Sequence, residues 1–199
     1  LTGLPRFDAV LPEHVSPAID THLAECRALV EKLTQPNIEV SWDNIVAPLD
    51  DATEKLSRAW NMVGHLNAVV DTPELRAAYN ENQPKITEFW TALGQNLALF
   101  DKYKRLQEQA QNLSPARQKI LSNAIRDFRL GGAELSAQDK EIFALNQEKQ
   151  AALSNRYSEN VLDATNEFAL YIDDVAELAG VPEDVLQAAH NAAEKDGKS

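Results

Sequence analysis

Apolar residues recur along most of the chain at alternating steps of three and four, the spacing of one helical face. Ile19, Leu23, Cys26, Val30 and Leu33 predict a first helix from Pro12 or Ser16 to Leu33, with Asp20, Arg27, Glu31 and Lys32 facing out. Gln35-Pro36-Asn37 ends it. Ser41 is placed to cap a short helix over Trp42–Val46, which Pro48 should break or kink. Leu49, Leu56, Trp60, Val63 and Val70 predict a second long helix. In Asp71-Thr72-Pro73-Glu74, Thr72 can cap, Pro73 suits a first turn and Glu74 suits the helix dipole. Leu75, Tyr79, Ile86, Phe89, Leu93, Leu97 and Phe100 predict a third long helix, kinked at Pro84. Ser114-Pro115 opens a helix with Ile120, Leu121, Ala124, Ile125 and Phe128 on its apolar face. Gly131-Gly132 should close that helix through a left-handed cap. Ser136 and Asp139 have capping-box spacing. Beyond them Leu153, Tyr157, Val161, Ala164, Phe168 and Ile172 mark what should be the longest helix. Gly180 stops the next stretch, and Pro182-Glu183-Asp184 starts a final Ala-rich helix towards Glu194.

No stretch alternates strictly between apolar and polar residues. No Asn-Gly or Asp-Gly hairpin separates apolar runs, and no repeat of fixed period exists. The expected fold is therefore all-α: a multi-helix bundle of long, partly kinked amphipathic helices, six or so in number. Pro5 and Pro12 disfavour helix in the residues before them, so residues 1–11 read as an extended arm and 12–199 as helical.

Composition narrows the function more than the fold. Hydrophobic residues make up 44% and charged residues 25% of 199, an ordinary globular balance. One cysteine cannot form an internal disulfide, which fits a reducing compartment and a cytoplasmic location. No apolar run approaches a membrane span, and no basic-then-apolar leader opens the sequence. A net charge of −12 argues against a nucleic-acid partner. The charge is uneven: residues 1–100 are net −7, 101–130 net +4 and 131–199 net −9. The basic stretch reads as a helix docked among acidic ones, with an anion or peptide-carboxylate site as the alternative. Leu1 rather than Met opens the chain and Lys198-Ser199 closes it after a helix-like stretch, so the expectation is a segment of something longer.

The residues carry little recognisable chemistry. His22 and Cys26 lie four apart on a helix and could face one ion, but no third ligand is evident. Cys26 sits on the apolar stripe, where a buried thiol is ordinary. Glu13-His14 reads as a helix start, His65 as a hydrogen-bonded, half-buried side chain, and His190 as solvated. Asp50-Asp51 and Asp173-Asp174 point about 100° apart on a helix and form no dyad. Trp42, Trp60 and Trp90 read as core or inter-helix wedges, with an aromatic binding surface as the alternative. H-E-x-x-H, G-x-S-x-G, P-loop, G-x-G-x-x-G and C-x-x-C patterns are all missing from the sequence. The reading is thus no catalytic, cofactor-binding or metal-binding residue in this chain.

Several segments, in order, resemble the N-terminal part of the thimet oligopeptidase/oligopeptidase A family of zinc metallopeptidases. They are Leu4-Pro5-Arg6-Phe7, Leu11-Pro12-Glu13-His14-Val15-Ser16-Pro17-Ala18-Ile19, Ser41-Trp42-Asp43-Asn44-Ile45, Pro48-Leu49 and Gly64-His65-Leu66-Asn67-Ala68-Val69. Thr72-Pro73-Glu74-Leu75-Arg76-Ala77-Ala78-Tyr79 and Asn123-Ala124-Ile125-Arg126-Asp127-Phe128 continue the series. Asn155-Arg156-Tyr157-Ser158-Glu159-Asn160-Val161-Leu162-Asp163-Ala164-Thr165 and Glu177-Leu178-Ala179-Gly180-Val181-Pro182 complete it. The resemblance implies a largely helical peptidase with a deep channel that cuts short peptides at a zinc ion. The ligands and general base belong to a downstream H-E-x-x-H helix, so no residue here inherits them. What this chain would inherit is channel wall, non-catalytic from 1 to 199. The implied partners are the catalytic domain of the same parent chain and short peptides. Helices built to touch another domain should also leave an exposed apolar surface here, with dimerisation of the isolated segment or a collapsed arrangement of its end helices as the consequence. The alternative is a free-standing helical interaction domain that holds a partner helix in a groove.

Overall fold

The computed structural model describes residues 4–198. Among them the chain forms seven α-helices and no strand: α1 (Pro12–Leu33), α2 (Ala47–Val69), α3 (Pro73–Gly94), α4 (Leu97–Glu108), α5 (Pro115–Leu130), α6 (Ala137–Glu167) and α7 (Glu183–Lys195). Residues 1–3 of the arm lie outside the described residues. In the rest of it, Phe7–Ala9 makes one 3-10 turn beside an Arg6–Asp8 ion pair of 2.7 Å. By its internal contacts the chain divides into a unit through Ser154 and a second from Asn155 onward. α6 begins in the first and ends in the second.

Among the described residues, every buried one belongs to the first unit, where two apolar clusters form. In one, Val15, Ile19, Leu23 and Cys26 of α1 meet Leu56, Val63 and Leu66 of α2 and Leu75, Ile86 and Phe89 of α3. In the other, Leu33 meets Ile45, Val46 and Leu49, with Leu99, Phe100, Tyr103 and Leu106 of α4 and Leu121, Ile125 and Phe128 of α5. Leu93 packs against both, which joins α3 to the two clusters. Asn82 is fully buried between α1 and α3: its amide donates to Ser16 Oγ and to the Ala78 carbonyl, each at 2.8 Å. Its Oδ1 accepts from Lys85 Nζ at 3.1 Å, and Lys85 also reaches Asp20 at 2.8 Å. A buried amide is tolerated because both its ends are satisfied.

Most helix ends follow the expected chemistry. Ser41, Thr72 and Ser114 each accept a backbone N–H three residues on, at 3.2, 3.3 and 3.4 Å. Gly132 has φ of +91°, its N–H donates to the Arg129 carbonyl at 3.1 Å, and Ala133 N–H donates to Phe128 at 2.9 Å. That pair of bonds is a Schellman close, as the double glycine predicts. Asp139 N–H donates to Ser136 Oγ at 3.2 Å, and the Ser136 hydroxyl donates to the Asp139 carboxylate at 2.8 Å.

Five expectations are corrected. Pro48 does not break the helix: Trp42–Val46 is a π-turn that runs into α2, with Ala47 N–H bonded to the Trp42 carbonyl, and Pro48 sits in the first turn of α2. The wider turn precedes a residue with no N–H to give, so little is lost there. Val70 is exposed and lies past the end of α2, and Leu66 is buried instead. A strict seven-residue step drifts off one face of a straight helix, so the stripe shifts back. The third segment is two helices, because Asn96 caps α4 by accepting Leu99 N–H at 2.9 Å; Leu97 is exposed in its first turn. α3 itself continues through Pro84. Ile120 is exposed beside the α5 face that Leu121, Ile125 and Phe128 bury. Finally, α6 is the longest helix at 31 residues but ends at Glu167, so Phe168 and Ile172 are not helical.

Candidate functional site

Cys26 lies on the core face of α1, fully buried, with its thiol donating to the Ala52 carbonyl at 3.4 Å. Burial, reinforced by Glu25, pushes the thiol pKa up and keeps it protonated. His22 is half-buried and its Nδ1 lies 3.3 Å from Glu25 Oε2. The two side chains of the metal candidate are therefore committed to separate partners. Among the described residues no three His, Cys, Asp or Glu side chains gather as a metal site would require.

The other histidines have local roles. His14 Nδ1 accepts the Leu11 N–H at 3.2 Å, while His14 N–H donates to the Leu11 carbonyl at 3.0 Å. The imidazole thus closes the start of α1, and Glu13 lies in its first turn, where a carboxylate suits the helix dipole. His65 is exposed rather than half-buried, with the Phe7 ring centroid 5.0 Å from its own. The arm supplies that neighbour, and helix periodicity alone does not register it. His190 is exposed and lies 3.4 Å from Glu194 on α7.

Most basic side chains of residues 101–130 have partners within the chain. Lys102 is the buried cation of α4: its Nζ donates to the Gln35 carbonyl at 2.6 Å and points to Ile38 O at 3.5 Å, pinning the loop after α1. Lys104 pairs with Asp101 at 2.8 Å and lies 4.5 Å from the Phe100 ring centroid. Arg117 stacks over Trp42 at 4.7 Å. Arg126 pairs with Asp127 at 2.7 Å. Sequence spacing does not single out Lys102, because nothing in it separates this residue from its solvated neighbours.

The tryptophans have separate partners too. Trp60 stacks on Tyr79, centroids 4.6 Å apart and planes 15° from parallel. Trp90 packs edge-on to Phe89 at 5.2 Å and shows its other side to a groove of about 480 Å³. The groove exists because the ends of α3 and α5 touch: a Cβ on Gly131 would lie 3.1 Å from Gly94 Cα. Leu49, Leu93, Tyr103 and Phe128 form its apolar wall, and Asp50 and Asp127 stand among its polar residues. Burial, with the charge of Asp50 adding to it, raises the Tyr103 phenol well above its usual range. The phenol therefore stays a hydrogen-bond donor. Such a groove can hold an apolar side chain; it offers neither an activated nucleophile nor a paired base. No helix among the described residues is long and apolar enough to cross a membrane.

Comparison with known proteins places these helices. The family model described as neurolysin/thimet oligopeptidase, N-terminal domain, matches residues 19–140. Oligopeptidase A of Haemophilus influenzae is 38% identical over 200 residues, covering 99% of this chain and 29% of that protein. Oligopeptidase A of Salmonella typhimurium is 40% identical over 194 residues, covering 96% and 28%. A probable cytosolic oligopeptidase A of Arabidopsis thaliana is 38% identical over 195 residues, covering 97% and 28%. The chain spans less than a third of the length of these relatives.

Proposed function

The chain belongs to the neurolysin/thimet oligopeptidase family, and we propose that it is the N-terminal, non-catalytic part of a zinc-dependent oligopeptidase that hydrolyses short peptides in the cytoplasm. The observation that carries this reading is one of proportion. The likeness takes in nearly all of this chain and under a third of each relative. The residues here do not fit a zinc ion, since Cys26 is turned into the core and no ligand cluster exists among the described residues. The reacting groups therefore belong to the remainder of the polypeptide, and no chemical step is assigned to this part.

Its task is exclusion and positioning. The two clusters lock α1 to α5 together, which suits a wall that admits flexible peptides and turns away folded ones. Exposed apolar residues on α6, among them Ile142, Leu145, Leu153, Tyr157 and Val161, suit contact with the catalytic domain. A free-standing interaction domain is not favoured by the family likeness. The test is size selection by the whole polypeptide. It should cut an unstructured peptide of about ten residues and leave the same sequence uncut inside a folded domain. Equal cleavage of both would remove the wall from the reading, and a reading frame lacking H-E-x-x-H beyond Ser199 would remove the peptidase.

A further inference from the structure

Helix α6 ends at Glu167, and from Phe168 to Asp174 the backbone forms neither helix, turn nor bridge. Asp174 is extended, with φ of −92° and ψ of 108°. Phe168, Leu170, Tyr171 and Ile172 are 75%, 72%, 43% and 40% exposed, a run of strand-favouring side chains left in water. Among the described backbone hydrogen bonds outside helices, none uses an N–H or C=O of residues 169–173. Unpaired backbone carrying apolar side chains is a template for another strand.

We propose that residues 168–173 are a β-strand that pairs with an extended strand from the part of the same polypeptide outside these 199 residues. The inference rests on the proposed function, which requires that such a remainder exists. In an extended chain Phe168, Leu170 and Ile172 share one face and Ala169, Tyr171 and Asp173 the other. The second face is already held: the Tyr171 hydroxyl donates to Asp196 Oδ2 at 2.9 Å, and Lys198 Nζ lies 5.3 Å from the Tyr171 ring centroid. The segment is also fixed at both ends, by α6 before it and by Asp174, whose carboxylate accepts Ala176 N–H at 2.9 Å, after it. That leaves the Phe168 face and the backbone edge for a partner.

In the two registers that overlap residues 168–172 fully, charge disfavours a second copy as that partner. Antiparallel self-pairing centred on Leu170 sets Glu167 opposite Asp173, and parallel pairing in register sets each acid beside itself. Like charges directly opposite destabilise a strand pair. A strand with neutral or basic residues at those positions has no such penalty. Supplied by the same polypeptide, it arrives at a high effective concentration. The relatives, more than three times as long as this chain, have ample sequence to supply it.

Amide hydrogen exchange tests the pairing, measured on the 199-residue chain and on the whole polypeptide. The amides of 169–173 should exchange at least ~100-fold more slowly in the whole polypeptide. Equal rates in the two would overturn the proposal. So would protection of the 199-residue chain that grows with its own concentration, because the occupant would then be a second copy. Protection that arises only when an unstructured peptide is added would overturn it as well. Leu170→Pro in the whole polypeptide should release the neighbouring amides; the unsubstituted comparison stands if that variant does not fold. Peptide hydrolysis assayed on the same samples separates the two readings. Hydrolysis with unprotected amides sinks the strand alone, and protection without hydrolysis sinks the peptidase alone.

Discussion

Residues up to Ser154 and residues from Asn155 on are written in much the same amphipathic code, yet they meet opposite fates. In the first unit Ile19, Ile45, Phe100 and Leu121 are fully buried. In the second no described side chain is buried, and Tyr157, Phe168, Leu170 and Val175 are all more than 70% exposed. Periodicity says which face of a helix wants a partner; it does not say whether the partner lies in the same stretch of chain. The contrast fits a segment whose first part makes its own core and whose second part is finished by residues elsewhere.

The largest effect that could break this contrast comes from matched truncations. Phe100→Ala should cost about 3–5 kcal/mol, since its ring is fully buried 5.5 Å from Phe128. Phe168→Ala in the same chain should change stability by less than ~0.5 kcal/mol. Urea unfolding of both variants reads the difference, and equal losses would mean that the second unit has a core of its own.

A smaller effect comes from two glycines. A Cβ at Gly131 would lie 3.1 Å from Asp127 O and from Gly94 Cα, backbone atoms that cannot step aside cheaply. Gly131→Ala should therefore cost about 1–3 kcal/mol through displacement of the helix ends. Gly180 has open space around it but φ of +91°, so Gly180→Ala should cost about 1 kcal/mol from backbone strain alone. Thermal unfolding followed by circular dichroism ranks the two.

Much of the fold is legible in the residues alone. The stripe of α1, the caps at Ser41, Thr72 and Ser114 and the glycine close of α5 all come from local chemistry, because their partners lie within a few residues. The break at Asn96 is not legible, since Leu93, Leu97 and Phe100 keep helical spacing across it. Long-range roles are hidden for a related reason: their partners are far off in the chain. Lys102 is made structural by carbonyls 64 and 67 residues away, and His65 is approached by the arm. The groove at Trp90 arises only where Gly94 meets Gly131. That H-E-x-x-H and the other catalytic patterns are missing is read directly from the sequence.

The smallest effect concerns Cys26. Its thiol is held protonated by burial, so iodoacetamide should label it only in unfolding conditions. The raised folded pKa also sets the sign of a pH dependence. The unfolded chain loses the thiol proton first, so stability should fall as pH climbs through the range above the ordinary thiol pKa. Cys26→Ala should flatten that slope in urea titrations. Rapid labelling of the folded chain would show a more open first unit than its buried core implies.

The most direct measurement is turnover of a fluorogenic peptide by the 199-residue chain with zinc supplied, beside the whole polypeptide. The expected result is hydrolysis by the whole polypeptide alone, with no stoichiometric zinc retained by the 199 residues. Turnover by the 199-residue chain, with one zinc bound per chain, would contradict a wall whose reacting groups lie elsewhere.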